Sequence, residues 1–544
     1  MIRRSAALLG LALLGACAPS NPAGEFYDIG SVHRVVTTSS KTAQVWFDRG
    51  LAMCFGFNHE EAIRCFDRMI ELDSESPMAH WGRAYAHGPH VNNPVMDSTA
   101  SLQAFESAQR AKALLATATA IERELIEALL ERYAWPAPED RSELEARYAE
   151  AMRAVYSRHP DDADIAALFA ESLLDLHPWK WWSKAGEPLP EVLEAIAVIE
   201  KGMGVWPQHP ALNHLYIHAV EMSPDVERAR EAADRLRTLV PGAGHLVHMP
   251  SHIDVLRGDY PAAIQANQLA LRADRDFTAK QGGMNFYTLY RVHNYHFVAY
   301  AAMFDGQSQV AMAAARELVS EIPADLLAMW PDFLEAFVGM PLHVMVRFGQ
   351  WDTILAEPAP PADHYVTTAF WHYARGLAFS SLDRVKEAEG ERAAFAMAFK
   401  AVPESRLLFN NSATQILGIA ESMLNGEVEF RRGNTKKAFA HLREAVVRDD
   451  GLSYDEPWGW AQPARHPLGA LLMEQGLVDE AARVYREDLA RRPNNPWSLH
   501  GLSECLAMQG RSTESDSLRT QLKSALARAD VEIRGSCYCR RPRS

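Results

Sequence analysis

The chain has 544 residues, enough for about three ordinary domains of roughly 100–200 residues each, or for one long array of repeats. Hydrophobic residues make up 48% and charged residues 23%, which fits a folded chain and excludes long disordered or collagen-like organisation. The net charge of −15 argues against a phosphate-binding surface as the main activity, so nucleic acid is not an expected partner.

The first element, residues 1–16, reads as a secretory leader. Arg3 and Arg4 form a basic start, Ala6–Leu14 is apolar but far shorter than the about 20 residues of a membrane span, and small residues precede Cys17. Leu14-Gly15-Ala16-Cys17 resembles the bacterial lipobox, which implies lipidation of Cys17; a plain signal peptide is the alternative. Residues 17–42 then form the lipidated N-terminus and tether, and Ala18 points to the outer membrane. The expected location is the cell envelope, as an outer-membrane lipoprotein facing the periplasm or the cell surface. Five cysteines remain. Cys537 and Cys539 are one residue apart, a spacing that disfavours a bond between them. Two readings stand: a bridge from one of them to Cys505, or free thiols.

From residue 43 to about 530 the chain repeats. Trp46, Gly50, Ala62 and Phe66 match the skeleton of the 34-residue tetratricopeptide (TPR) repeat. The skeleton recurs at Gly258 with Ala263 and Ala270, Gly306 with Ala311, Gly433 with Ala438 and Ala445, and Gly476 with Ala481 and Tyr485, while Pro241, Pro323 and Pro493 fall where repeats end. The expected fold is all-α, a TPR-type helical-hairpin solenoid wound as a right-handed superhelix, with the first helix of each pair lining the concave face. The pattern is irregular over about 95–210, although 102–133 and 142–156 keep helical periodicity. Within that stretch, 160–164 reads as helix-entry caps, and Pro178 to Trp182 as an aromatic plug or a groove-lining clamp. The tail, 531–544, is basic and expected to be poorly ordered apart from its cysteines.

Several strings resemble a family of large bacterial TPR proteins: Phe57-Asn58-His59-Glu60-Glu61-Ala62, Ala79-His80-Trp81-Gly82, Gly244-His245 through Ile253, and Glu456-Pro457 with Trp460. The resemblance implies architecture and no activity. Residues 454–460 read as a groove wall or an inter-repeat packing motif.

The repeat register carries the functional reading. With Gly258 and Gly306 as turn glycines, His245, His248 and His252 lie on one groove-facing phase, as do His293 and His296 on the next first helix and His214, His218 and Glu221 on the preceding one. The spacings i, i+3 and i, i+4 project from one helix face. Neutral imidazole is the commonest ligand of divalent transition metals, and neighbouring helices about 8–10 Å apart can share an ion. The central histidines therefore combine with one neighbouring helix at a single centre, or with both at two. A set of imidazoles without thiolate favours Cu or Zn, with Fe a candidate. Glu221 is a ligand, an orienting partner of an imidazole, or a general base, so a metal-dependent enzyme is one expectation. The alternative is a TPR adaptor whose groove binds a peptide or protein without metal. His87, His90, His343, His372, His466 and His500 have less secure register and stand outside the expected ligand set.

Overall fold

A computed structural model describes residues 26–541; the expected leader, the expected lipidation site Cys17 and the last three residues lie outside the described part. The described chain is a series of helices, with a two-residue antiparallel pair at Leu407–Leu408 and Asn411–Ser412 and no longer strand among those residues. This is the all-α TPR-type solenoid.

The sequence builds it by alternating two kinds of helix. Pro210–Glu221, Thr288–Asp305 and Ala413–Arg431 are buried over most or all of their length, whereas Tyr260–Gln281, Ser308–Glu321 and Thr435–Asp450 bury one stripe. A helix apolar all round belongs inside and an amphipathic one outside, so the chain winds an inner layer under an outer one. The repeat skeleton is visible as close packing. The ring of Phe66 lies so near Gly50 and Gly82 that a Cβ at either would come within 2.7 Å and 2.3 Å of it. At the other end Tyr485 fills the same gap between Gly469 and Gly501. Each aromatic from an outer helix thus wedges between two successive inner helices where glycine leaves room.

The turn glycines Gly258, Gly306, Gly433 and Gly476 all have positive φ, which ends an inner helix without steric cost. Gly258 has a second reason: a Cβ there would sit 2.1 Å from the carbonyl oxygen of Pro493. The superhelix closes on itself at this point. Tyr260 donates to the Pro493 carbonyl at 3.1 Å, and Trp497 Nε1 donates to the Met303 carbonyl at 2.9 Å.

The irregular stretch is helical throughout its core, including Ser98–Ala113, Ala120–Leu130, Ser142–Arg158 and Ala163–Leu174. Asp162 caps the last of these by accepting from the amide of Ile165, so the acidic run is a helix entry. Three expectations are corrected. The tether is shorter than 17–42, because Tyr27 packs on Phe277, the Gly242 amide donates to the Asp28 carbonyl at 2.8 Å, and Arg34 pairs with Asp162 and Asp164. The tail is held, because Ser536 and Cys539 are buried and Arg347 donates to the Ser536 carbonyl at 2.6 Å. Cys537 and Cys539 are bonded to each other, the held tail bringing their Cα atoms to 5.2 Å, and Cys505 is a buried free thiol beside Met473.

Candidate metal centre

Three inner helices carry the histidines. Pro210–Glu221 starts on proline, with His209 capping by accepting from the Leu212 amide. The next inner helix is broken in two, Gly244–His248 and Pro250–Leu256, because Pro250 lacks an amide hydrogen and its ring crowds the preceding turn. Gly244 opens it where any side chain would collide with the Asp274 carboxylate, 1.9 Å from an added Cβ. The third is Thr288–Asp305.

The histidines gather as two trios. His214, His218 and His245 offer ligand atoms within 4.8 Å of one another, and so do His248, His252 and His293. The broken central helix divides its histidines between both neighbours, His245 going to one side and His248 with His252 to the other. The trios adjoin: the His245 and His248 rings are 5.7 Å apart, and those of His218 and His252 5.9 Å. His296 belongs to neither trio. It lines a small cavity with His343, Phe337 and Phe370, so its register position does not bring it to the others.

Hydrogen bonds fix which nitrogen faces inward. His214 Nδ1 is 2.8 Å from the Phe55 carbonyl, one of the free carbonyls at the end of Lys41–Phe55. His248 Nδ1 is 2.6 Å from Asn267 Oδ1, whose identity is set because Asn267 Nδ2 donates to the Ala263 carbonyl. His218 Nδ1 lies 2.7 Å from one oxygen of Glu221, and His252 Nδ1 bonds the other. These partners only accept, so all four rings donate from Nδ1, and His214, His218 and His248, which burial holds below the ordinary histidine value, present the lone pair of Nε2. The Nε2 atoms converge. His248 Nε2 and His252 Nε2 are 2.8 Å apart, His214 Nε2 and His245 Nε2 3.1 Å, and the buried Nε2 of His218 has no hydrogen-bond partner. His245 Nδ1 and His293 Nδ1 are likewise without partners.

Burial, reinforced by neighbouring imidazoles, holds His214, His245, His248 and His293 well below the ordinary histidine value, so they are neutral bases. Burial alone would raise Glu221, but the charge of His252 and the His218 hydrogen bond outweigh it and hold the carboxyl at about 2. With both oxygens engaged, Glu221 is placed as the common orienting partner of both trios; acting as a base would require releasing one ring.

The groove expected to be open is filled, because aromatic side chains close it. Phe57, in the left-handed region at φ 52°, stacks over His90 and lies 4.5 Å from the His214 ring and 5.3 Å from His245. Trp179 meets His218 edge-on at 5.5 Å and faces Tyr454. Trp181 and Trp182 instead donate to the carbonyls of Leu174 and Ala219, so the tryptophan run supplies both a plug and a wall. Tyr454 donates to Glu456 at 2.6 Å and reaches Glu221 at 3.5 Å. His59 and His90 sit behind Phe57 with their rings 4.4 Å apart, each with one unpartnered buried nitrogen. The sequence offered 178–182 as a plug or clamp and 454–460 as a groove wall or packing motif, and gave Phe57, His59 and His90 no role; contacts from 31 to more than 200 residues apart bring them to the site. His466 and His372 lie elsewhere, bonded to Asp488 and Glu391.

Neither a family model nor a curated protein matches the chain. Among solved structures, human IFIT1 with m7Gppp-AAAA is 14% identical at a TM-score of 0.36, covering 83% of this chain and 90% of that one. Yeast Tom70 is 12% identical at 0.30, covering 88% and 92%. The C-terminal part of a TPR repeat-containing protein from Cytophaga hutchinsonii is 13% identical at 0.28, covering 52% and 98%. The chain is an all-α TPR-type helical solenoid, visible in its own packing at Phe66 and Tyr485.

Proposed function

We propose that this chain is a lipid-anchored envelope protein whose solenoid encloses two adjacent three-histidine centres for a divalent transition metal, with Cu or Zn favoured and Fe a candidate. One observation carries the reading: His248 and His252 both donate from Nδ1, yet turn their Nε2 atoms on each other at 2.8 Å. Two buried lone pairs at that distance repel unless a cation or a proton lies between them. Two nitrogens bound to zinc at 2.0–2.1 Å are about 3.3 Å apart at a tetrahedral angle. In the adjoining trio the buried Nε2 of His218 has no hydrogen-bond partner at all, which supports a metal over a shared proton. Three histidines leave a tetrahedral ion one open position, the pattern of catalytic zinc, so a metal-dependent reaction is part of the proposal and its substrate is open. The test is elemental analysis of protein purified from its natural compartment, with at least one equivalent of metal expected.

A protein-binding role is the second reading, favoured by a groove of about 970 Å³ between 31–35, 158–164 and 205–210, where Val35, Val205 and Trp206 are exposed. A peptide would bind there and not against the enclosed histidines.

A further inference from the structure

The C-terminal strap carries a second chemically distinct cluster. Residues 536–541 are clamped across the ends of several inner helices. Tyr485 and the His466 carbonyl bond Ser536, Arg431 donates to the Cys539 carbonyl, and the Arg541 amide donates to Glu474. This clamp holds the Cys537–Cys539 disulfide against Glu427 of the Ala413–Arg431 helix, with a carboxylate oxygen and both sulfurs within 4.8 Å of one another. Glu427 is 2% exposed, and neither of its oxygens has a hydrogen-bond partner. A buried carboxyl without hydrogen bonds is costly, and here the two sulfurs lie within its reach.

We propose that Cys537–Cys539 is an exchangeable disulfide and that Glu427 is its proton donor and acceptor, making the strap a thiol–disulfide exchange site for dithiol partners. The two cysteines divide the roles. Cys537 is half-buried, and its sulfur accepts the Cys539 amide at 3.2 Å, which favours the thiolate form; Cys539 is buried. In reduction, a thiolate of an external dithiol attacks Cys537 sulfur. The S–S bond breaks, a mixed disulfide forms at Cys537, and the electron pair passes to Cys539 sulfur, which takes a proton from Glu427. The reductant's second thiolate attacks its own sulfur in the mixed disulfide and releases the Cys537 thiolate. Two electrons move from the dithiol, which becomes a disulfide, to the chain, while solvent returns a proton to Glu427 and protonates Cys537. Reversal oxidises a partner dithiol, with Glu427 taking the Cys539 proton.

The surroundings keep such a proton available near neutrality. Burial raises Glu427 to about 7; Arg431 opposes that and Glu474 adds to it, while Glu427 in turn helps to raise the buried phenol of Tyr373.

The test uses the full chain and dithiothreitol as the dithiol probe. Reduction is followed by alkylating thiols at timed intervals and reading Cys537 and Cys539 by mass spectrometry, between pH 5.5 and 8.5. Wild type is expected to reduce reversibly with its helical circular dichroism intact. Glu427→Gln, which keeps the shape and removes the titration, should slow reduction about tenfold near pH 7 and erase the bend near that pH. An unchanged rate and profile in a folded Glu427→Gln protein would overturn the proposal. If that variant does not fold, wild type decides: reduction only on unfolding, or a profile showing dithiothreitol's own titration alone, counts against it. Free thiols holding zinc in protein kept under oxidised glutathione would make this a metal site instead and also overturn it.

Discussion

Glu221 accepts a hydrogen bond from His218 Nδ1 at 2.7 Å with one oxygen, and its other oxygen holds His252 on the next inner helix. One carboxylate therefore sets a ring in each trio, and weakening it should be felt at both. Glu221→Gln keeps one acceptor oxygen and replaces the other by a donor, which cannot accept from Nδ1. Orienting partners of ligand histidines are worth roughly 10–100-fold in metal affinity. A loss of that size for both ions is expected in a competitive chelator titration, with unaltered far-UV circular dichroism. Affinity equal to wild type would remove Glu221 from the centre.

The metal-free protein should lose stability in acid, and the sign follows from burial. His296 is held at about 3 and His59 and His343 at about 4, all chiefly by burial, while His214, His245, His248 and His293 also lie well below the ordinary value of about 6.5. Below pH 6.5 the unfolded chain takes protons that the folded chain refuses. Stability present above that pH is then lost as pH falls, by up to about 1.4 kcal/mol per pH unit for each such imidazole. Glu221 adds loss of the same sign between its ordinary value and about 2. Bound metal should be released over the same acid range, below about pH 6, as protons compete for the ligands. Melting temperatures of the metal-free chain at pH 7.5, 6.5 and 5.5 should be level and then fall; a level series throughout would contradict the burial.

Phe66 tests the packing of the solenoid. Its ring fills the gap left by Gly50 and Gly82, so Phe66→Ala should cost about 3–5 kcal/mol, the usual range for a buried phenylalanine. In a repeat array the loss falls on the neighbouring N-terminal hairpins first. Denaturant unfolding should show an earlier transition for that end, and an unshifted curve would mean the ring is not wedged between the two helices.

The leader makes a separate claim. Cys17→Ser should abolish labelling by a fatty-acid probe and leave the chain unanchored or unprocessed. Unchanged membrane partition with no lipid on the N-terminal peptide would end the lipoprotein reading.

Much of this was legible in the sequence because turn glycines and small helix-contact residues have fixed offsets. Gly258 and Gly306, with Ala229 and Pro241 for the preceding repeat, set the register, and the register placed seven histidines on one phase. The division into two trios was less accessible: it separates His245 from His248, which share the short segment Gly244–His248, and depends on which neighbouring inner helix each ring meets. His296 shared the phase and still faces a different cavity, since phase fixes a direction and not a neighbour. Phe57, His90, Trp179 and Tyr454 reach the site through contacts far apart along the chain. Periodicity cannot report such contacts. The Cys537–Cys539 bond ran against the spacing argument, which weighed the local chain and could not include the clamp on the strap.

The central claim is that the converging Nε2 atoms hold metal, and the most direct measurement is metal stoichiometry in the variant with both His248→Ala and His252→Ala. The protein should be freed of tags and adventitious ions, shown by circular dichroism to be folded, and compared with wild type by elemental analysis. The variant removes two ligands of one trio and leaves His214, His218 and His245 in place, so it should lose the ion at its own centre, about one equivalent per chain, while the solenoid survives. Equal stoichiometry in wild type and a well-folded variant, near zero in both, would contradict the account.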